Sequence, residues 1–532
     1  MNNFQNPPIE QIYANRWRIW GVVMIGLFMA LIDVTIVNIS IPQLQRDLDA
    51  SVDTVSWVLN AYNIMFAVLL VSMGRLADQF GRKRYFLIGM SIFTVGSLMC
   101  AISWSVGALI TFRVVQAVGA GILAPLALAT TAMVFPPKQR GFGLAMMAVV
   151  ANVAAAVGPP VGGVLVELAG WPWSVGWHWI FLINVPIGVL GIALALRVMP
   201  ETRDPHAGTN IDWWGMTTIG GAVFCLTYGL VEANDQGWGS PLIVGLFAVS
   251  ALLAGVFAIT QRYGRFPMLT RDLARNRQFI GASTSLMLFG IGMMGTLFMT
   301  VLAFVNLWGY SELKAALAVT PVPLMAMISS PLVGRLSTRA PPRAFGVPAL
   351  IVMAGGLWAL SGLPAEPSLG RVVWPLALVG LGVGATFPAV SIGSMGSVRG
   401  QELGLASGIV NMARQVGFAI GIALLVAVFT GTVDDQLKDA RREVAALPNA
   451  DCRPAECQRE LFFRSAENGR TQVNPRTPFE RRAQEVVKEH VRDAYGAAFR
   501  VAALVTLLAI PFSLTMRRRP VEFAQPEAAA AA

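Results

Sequence analysis

Asp33 lies inside an apolar stretch, residues 19–41, and Arg113 inside another, residues 106–134. A charge within an apolar helix is costly and marks a functional position by default. Desolvation disfavours an ionised carboxylate and a neighbouring cation favours it, so the two effects oppose each other at such a pair. Two readings follow. Asp33 and Arg113 form either a carboxylate that takes and loses a proton as water access changes, or a static ion pair that fixes helix packing. Once the loops are set aside, the only other basic residues in apolar stretches are Arg414 and Arg500, and Arg500 sits at a helix end from which it can snorkel. Asp33 is the one acidic residue deep in any such stretch. An uncompensated charge at mid-bilayer costs at least about 2.5 kcal/mol, so the expected cargo is a monocation or a neutral amphiphile rather than a dication.

Other chemistries lack their residues. A phosphate-cradling loop needs Gly-Lys-Ser/Thr, yet none of the five lysines (Lys83, Lys138, Lys314, Lys438, Lys488) is followed by Ser or Thr. HExxH, CxxC and GxSxG do not occur, and His178, His206 and His490 are scattered. No enzyme, metal site or cofactor is expected.

The elements that must hold Asp33 and Arg113 are long and apolar. Of 532 residues 55% are hydrophobic and 13% charged, against about 25% charged in a soluble domain. A bilayer core needs about 20 apolar residues per helix. Spans are expected near 19–41, 55–77, 85–104, 106–134, 142–168, 179–198, 213–232, 242–260, 279–304, 315–336, 345–363, 373–396, 403–430 and 497–515, which defines an all-α membrane protein of about fourteen transmembrane helices. The first span is too long for a cleaved signal and should remain as a helix. With the N-terminus inside, 22 basic residues fall in inner segments and 3 (Arg46, Lys314, Arg371) in short outer loops. Positive charge stays on the cytoplasmic side, so both termini are expected in the cytoplasm, and the net charge of +10 needs no nucleic acid. Residues 431–495 form an outer segment with 12 basic and 12 acidic residues, whose ends near Asp434–Val444 and Glu480–Asp493 read as helical. Cys452 and Cys457 fall in it, either bridged or free.

Two strings recur at nearly one spacing. GRLADQFGRK begins at Gly74 and GRLSTRAPPR at Gly334, while GLA occurs at Gly143 and Gly404. The offsets of 260 and 261 point to duplicated halves with a site between them. The expected domains are a six-helix bundle at 1–198, a linker with an inserted helix pair at 199–270, second-half helices at 271–430, the outer loop at 431–495, and a last helix with its tail at 496–532.

Several strings carry a resemblance. L-I-D-V-T-I-V-N-I-S-I-P at Leu31–Pro42 resembles the first-helix signature of the fourteen-helix drug–proton antiporters of the major facilitator superfamily. Gly74–Arg84 is similar to that superfamily's loop between helices 2 and 3, with Gly74, Asp78, Gly81 and Arg82 in its gating positions. R-V-V-Q-A-V-G-A-G at Arg113–Gly121 resembles its helix-4 motif, and G-P-P-V-G-G at Gly158–Gly163 the helix-5 motif of its antiporters. Trp177–Gly188 and Gly404–Gly417 match as well, while Thr338 stands where the second-half loop often has an acid. The resemblance implies two six-helix bundles joined by a two-helix hairpin, an export bias from the bend at Pro159 and Pro160, and Asp78 facing the N-terminus of helix 13 near Gly404. Independently, Gly158 and Gly162, with Gly163 beside them, form a small-residue face for close helix contact.

Asn38, Trp57, Tyr62, Gln116 and Asn411 are polar or aromatic residues in spans; the readings open for each are a cavity wall, a bond to a neighbouring helix, or a lipid-facing position. The resemblance implies proton-driven export of amphipathic small molecules or drugs across the inner membrane of a bacterium, with a periplasmic adaptor as partner where the cell has an outer membrane. Export or flipping of a native lipid or secreted metabolite, and ligand sensing by a non-transporting receptor, are the alternatives.

Overall fold

The computed structural model describes residues 7–167, 176–203, 210–264, 267–398, 402–446 and 478–516. Among them no β-strand occurs, and fourteen helices are long and apolar enough to cross a membrane. We number these α1 (Arg16–Asp47), α2 (Val52–Phe80), α3 (Arg82–Ala101), α4 (Val106–Val134), α5 (Pro137–Glu167), α6 (Asn184–Val198), α7 (Trp213–Gln236), α8 (Pro241–Tyr263), α9 (Arg277–Asn306), α10 (Pro321–Leu336), α11 (Arg343–Leu360), α12 (Leu369–Met395), α13 (Leu403–Ala446) and α14 (Pro478–Leu508). Short helices at Trp177–Leu182 and Glu312–Ala318 lead into α6 and α10.

Helix starts lie outside the purely apolar stretches because polar side chains make them. Ser51, Ser105 and Ser240 each accept a bond from the backbone N–H three residues on, and Asn276 accepts from both Gln278 and Phe279. Such caps satisfy donors that have no partner within the helix. Hydropathy alone misses these polar first residues.

The ends of the outer segment are helical, as the sequence reading expects, and they continue the spans beside them without a break: α13 runs to Ala446, and α14 begins at Pro478. Forty-four residues in one helix extend about 66 Å, roughly twice the bilayer core. Beyond the bilayer the two helices keep each other's apolar stripe dry. Val433, Leu437, Ala440 and Val444 are buried, as are Ala483, Val487, Val491 and Ala494, at spacings of three and four that place each set on one helix face. Phe429 and Tyr495 meet at the base of this stalk, 4.4 Å between ring centroids. Cys452 and Cys457 lie outside the described residues.

The inserted pair, α7 and α8, is held to itself by Ser250 Oγ donating to Ala222 O at 2.8 Å. Its entry and exit are joined by Asp212, which accepts from Gly215 N, Gln261 Nε2 and Met268 N. Through Val223, α7 shares a small core with Ala67 of α2 and Val416 of α13, so the pair rests on both halves at once. The outer helix α8 exposes Leu242, Val244, Leu252 and Ile259, as a lipid-facing surface requires.

The two halves meet crosswise on the face that carries the α2–α3 connection, here termed the basic face. Gly74 of α2 lies against Gly404 of α13, and one turn on, Gly408 lies against Leu70 and Val71. Gly334 of α10 lies against Gly141 and Ala145 of α5. Each repeated string thus packs on the other half's Gly-Leu-Ala helix start, and only glycine allows backbones this close. A Cβ at residue 408 would stand 2.8 Å from Val71 Cα, so Gly408→Leu should push α2 and α13 apart on this face. Spin-label distances between α2 and α13 should lengthen, while Gly107→Ala, where a Cβ meets nothing within 4 Å, should leave them unchanged.

Candidate functional site

Asp33 and Arg113 come together in the first half, and both are fully buried. An unpaired ion here would be prohibitively costly, and five elements supply partners instead. Arg113 Nη1 donates to Asp33 Oδ2 and to Gln116 Oε1 at 2.5 Å. Its Nε donates to Val58 O of α2 at 3.1 Å. The other carboxylate oxygen, Oδ1, accepts from Gln116 Nε2 at 2.9 Å and from Asn184 Nδ2 at 3.2 Å. Gln116 also donates to Ser97 Oγ of α3 at 2.7 Å. The Tyr62 ring lies 4.1 Å from the guanidinium carbon, a cation–π contact, and its hydroxyl donates to Ala30 O.

This arrangement surrounds the Asp33 carboxylate with donors from α4 and α6. A proton on Asp33 would deprive Arg113 of the one counter-charge it has within ion-pair distance among the described residues. Breaking a buried pair costs about 3–5 kcal/mol, enough to move a two-state equilibrium by two to three orders of magnitude.

The second constellation joins the halves. Asp78 Oδ2 accepts from the backbone N–H of Gly404 at 2.8 Å and of Leu405 at 3.2 Å, placing a carboxylate on the positive end of α13. Its Oδ1 accepts from Arg82 Nη2 at 2.8 Å, with both side chains buried. Gly81 explains the turn between them: its φ of +114° is a region that side chains rarely adopt, and a Cβ there would also run into Glu201. Glu201 in turn accepts from the N–H groups of Lys83 and Arg84, capping α3. Among the described residues the second half has no equivalent latch: Thr338, in register with Asp78 and just past the end of α10, turns its hydroxyl back to Arg335 O.

On α5, Gly158 is packed so closely on Thr35 of α1 that a Cβ would collide with the hydroxyl. Thr35 Oγ1 reaches Ala154 O at 3.4 Å. The helix continues through Pro159 and Pro160. Gly162 is buried, and Gly163 meets Leu313 ahead of α10.

The remaining sequence candidates separate. Gln116 and Tyr62 join the Asp33 cluster. Trp57 meets Tyr228 of α7 with the rings tilted and their centroids 5.5 Å apart. Asn411 donates to Ser407 O and accepts from Arg414 Nη2 at 3.1 Å. The Asn38 side chain lies outside the described residues. Asn184, Ser97 and Glu201 are contributors that the sequence reading does not single out. Asn184 was signalled by a polar residue inside an apolar run; Ser97 and Glu201 carried no signal, because tertiary packing alone brings them in.

Two bundles that meet crosswise at one face, with a buried ion pair between helices of one bundle, define a two-half membrane transporter. The family model of the Major Facilitator Superfamily matches residues 23–422, and the chain belongs to that superfamily. It is 29% identical to the tetracenomycin C resistance and export protein of Streptomyces glaucescens, over 98% of this chain and 97% of that one. It is 33% identical to the puromycin resistance protein pur8 of Streptomyces alboniger, over 81% and 85%. Among solved structures, the proton:xylose symporter XylE superposes with a TM-score of 0.58 at 13% identity, covering 92% of this chain and 95% of that one; that likeness concerns the fold.

Removing the Asp78 carboxylate strips α13 of its cap and leaves Arg82 unpaired. Asp78→Ala should therefore shift the population away from closure of the basic face by about tenfold or more. Spin-label distances across that face check this, and the corresponding Thr338→Ala should leave them near the wild-type distribution.

Proposed function

We propose that the protein exports amphipathic small molecules, antibiotics and other drugs among them, across the cytoplasmic membrane of a bacterium in exchange for protons. The observation that carries this reading is the Asp33–Arg113 pair, a fully buried ion pair held by bonds from α2, α3, α4 and α6. A proton on Asp33 would remove the counter-charge of Arg113 and so change which contacts are favourable, as a coupling site requires. The relatives named for tetracenomycin and puromycin resistance support the cargo class. By the distribution of Lys and Arg, the basic face is the cytoplasmic one and both termini lie there. The structure is then closed to the cytoplasm, with Asp33 towards the outer side.

The cycle follows from which contacts a proton removes. A proton reaching Asp33 from outside neutralises the partner of Arg113, and the cluster on α1, α2, α4 and α6 must repack. The same α2 ends at Asp78, so repacking at one end strains the latch at the other. Opening to the cytoplasm lets the proton leave and cargo enter; re-forming the ion pair favours closure. No cofactor enters this scheme, and the proton gradient and the bilayer are the only partners it requires besides cargo. Where the cell has an outer membrane, a periplasmic adaptor would receive the cargo.

Asp33→Asn keeps the size and the accepting oxygen while removing the exchangeable proton. In proteoliposomes with an imposed pH gradient, it should reduce dye efflux to the level of empty vesicles. Dye binding should stay within about twofold of wild type, as expected when no charged contact to cargo is lost. Full efflux by this variant would overturn proton coupling through Asp33, and translocation of a fluorescent lipid in place of dye would favour the flippase reading.

A further inference from the structure

The second half contains a cation that the scheme above does not use. Arg414 lies eleven residues into α13, about 17 Å along its axis, and hence near the middle of a core about 30 Å thick. Unlike Arg113 it has no carboxylate within ion-pair distance among the described residues. Its one hydrogen bond goes to a neutral acceptor, Asn411 Oδ1, and its Nε–H is buried without a partner. Two aromatic rings flank it, Phe387 of α12 at 5.1 Å and Phe418 at 5.7 Å from the guanidinium carbon.

Its direction is set by helical spacing. Ser407, Asn411, Arg414 and Phe418 follow one another at intervals of four, three and four, which places them on one face of α13. That stripe begins at the seam between the halves, because Ser407 Oγ donates to Pro125 O of α4 at 2.8 Å. Asn411 orients the guanidinium and spends its own amide on Ser407 O, so the stripe offers donors towards the seam and no anion. Charge-assisted bonds to a carboxylate or phenolate are the strong partners of a guanidinium. The adjoining rings suit an aromatic body attached to that acid.

We propose that Arg414, with Phe387 and Phe418, recognises cargo bearing an acidic group on an aromatic framework. This rests on the export reading above and narrows its cargo. It also replaces the monocation or neutral amphiphile expected from the scarcity of carboxylates, since among the described residues Arg414 stands deep in a second-half span with no carboxylate in ion-pair distance.

The test uses three probes on one framework, 2-naphthoate, 2-naphthamide and 2-naphthylmethylammonium, titrated calorimetrically into full-length protein in nanodiscs with empty nanodiscs subtracted. The wild type should bind the carboxylate at least about tenfold more tightly than the ammonium probe, the minimum expected of one charge-assisted bond. Arg414→Gln should lose about tenfold or more for the carboxylate and leave the amide unchanged. Arg414→Lys should recover part of the loss, since it keeps the charge but not the planar fork. Equal affinity of the wild type for acid and ammonium would overturn the proposal without any variant. So would an Arg414→Gln protein that binds naphthoate like the wild type, or one that loses acid and amide alike. Dye efflux by wild-type proteoliposomes under a pH gradient separates the two claims. Efflux without acid preference sinks only the role of Arg414, and acid preference without efflux of any probe sinks only export.

Discussion

The structure turns on the approach of backbones where the halves cross on the basic face. Gly74, Gly404 and Gly408 let α2 and α13 touch, and Gly334 does the same for α10 against α5. Contacts of this kind involve no bulky side chains that could slide or re-rotamerise, so they are either made or broken. That gives the molecule two discrete arrangements rather than a continuum. Asp78 adds polarity to what would otherwise be a contact of small residues, and it does so on one crossing only. The α2–α13 crossing therefore carries a charge-dependent latch, and the α5–α10 crossing does not.

The Asp33 cluster is coupled to that latch by helices that belong to both. One end of α2 supplies Val58 O and Tyr62 to Arg113, and its other end supplies Gly74 and Asp78 to α13. The two ends lie about 30 Å apart along one helix. On α4, Arg113 and Gln116 sit three turns from Pro125, whose carbonyl accepts from Ser407 of α13. A change at Asp33 that tilts α2 or α4 must then be felt where the halves meet. The coupling needs no chain of side chains between the sites, only rigid helices with a contact at each end.

The halves have diverged in what they hold at mid-membrane. The first half neutralises its buried charge internally. The second leaves Arg414 facing the seam with a neutral amide and two rings. In the proposed scheme one half handles the proton and the other the ligand, while the crossed glycine contacts that join them keep nearly the same spacing.

Composition and periodicity suffice for the fourteen spans because burial in lipid demands length and apolarity from each helix separately, a local property. The isolated charges Asp33 and Arg113 were legible for the same reason, since their cost is set by the apolar run around them. The repeated strings told of two halves, but their crosswise pairing, first-half Gly74 on second-half Gly404 and second-half Gly334 on first-half Gly141, depends on how the bundles dock. Ser97 and Glu201 enter their sites from elements distant in the chain, and nothing in their neighbours distinguishes them from ordinary polar residues, whereas Asn184 stands out only as a polar residue in an apolar run. The helical ends of the outer segment were legible, but their continuity with α13 and α14 was not, because hydropathy ends where lipid ends, whereas these helices continue beyond it by burying each other's stripes. Arg414 shows the division most plainly. Its place inside an apolar helix is written in the sequence, but that it stands without an anion is decided by which side chains the tertiary structure does, and does not, bring within reach.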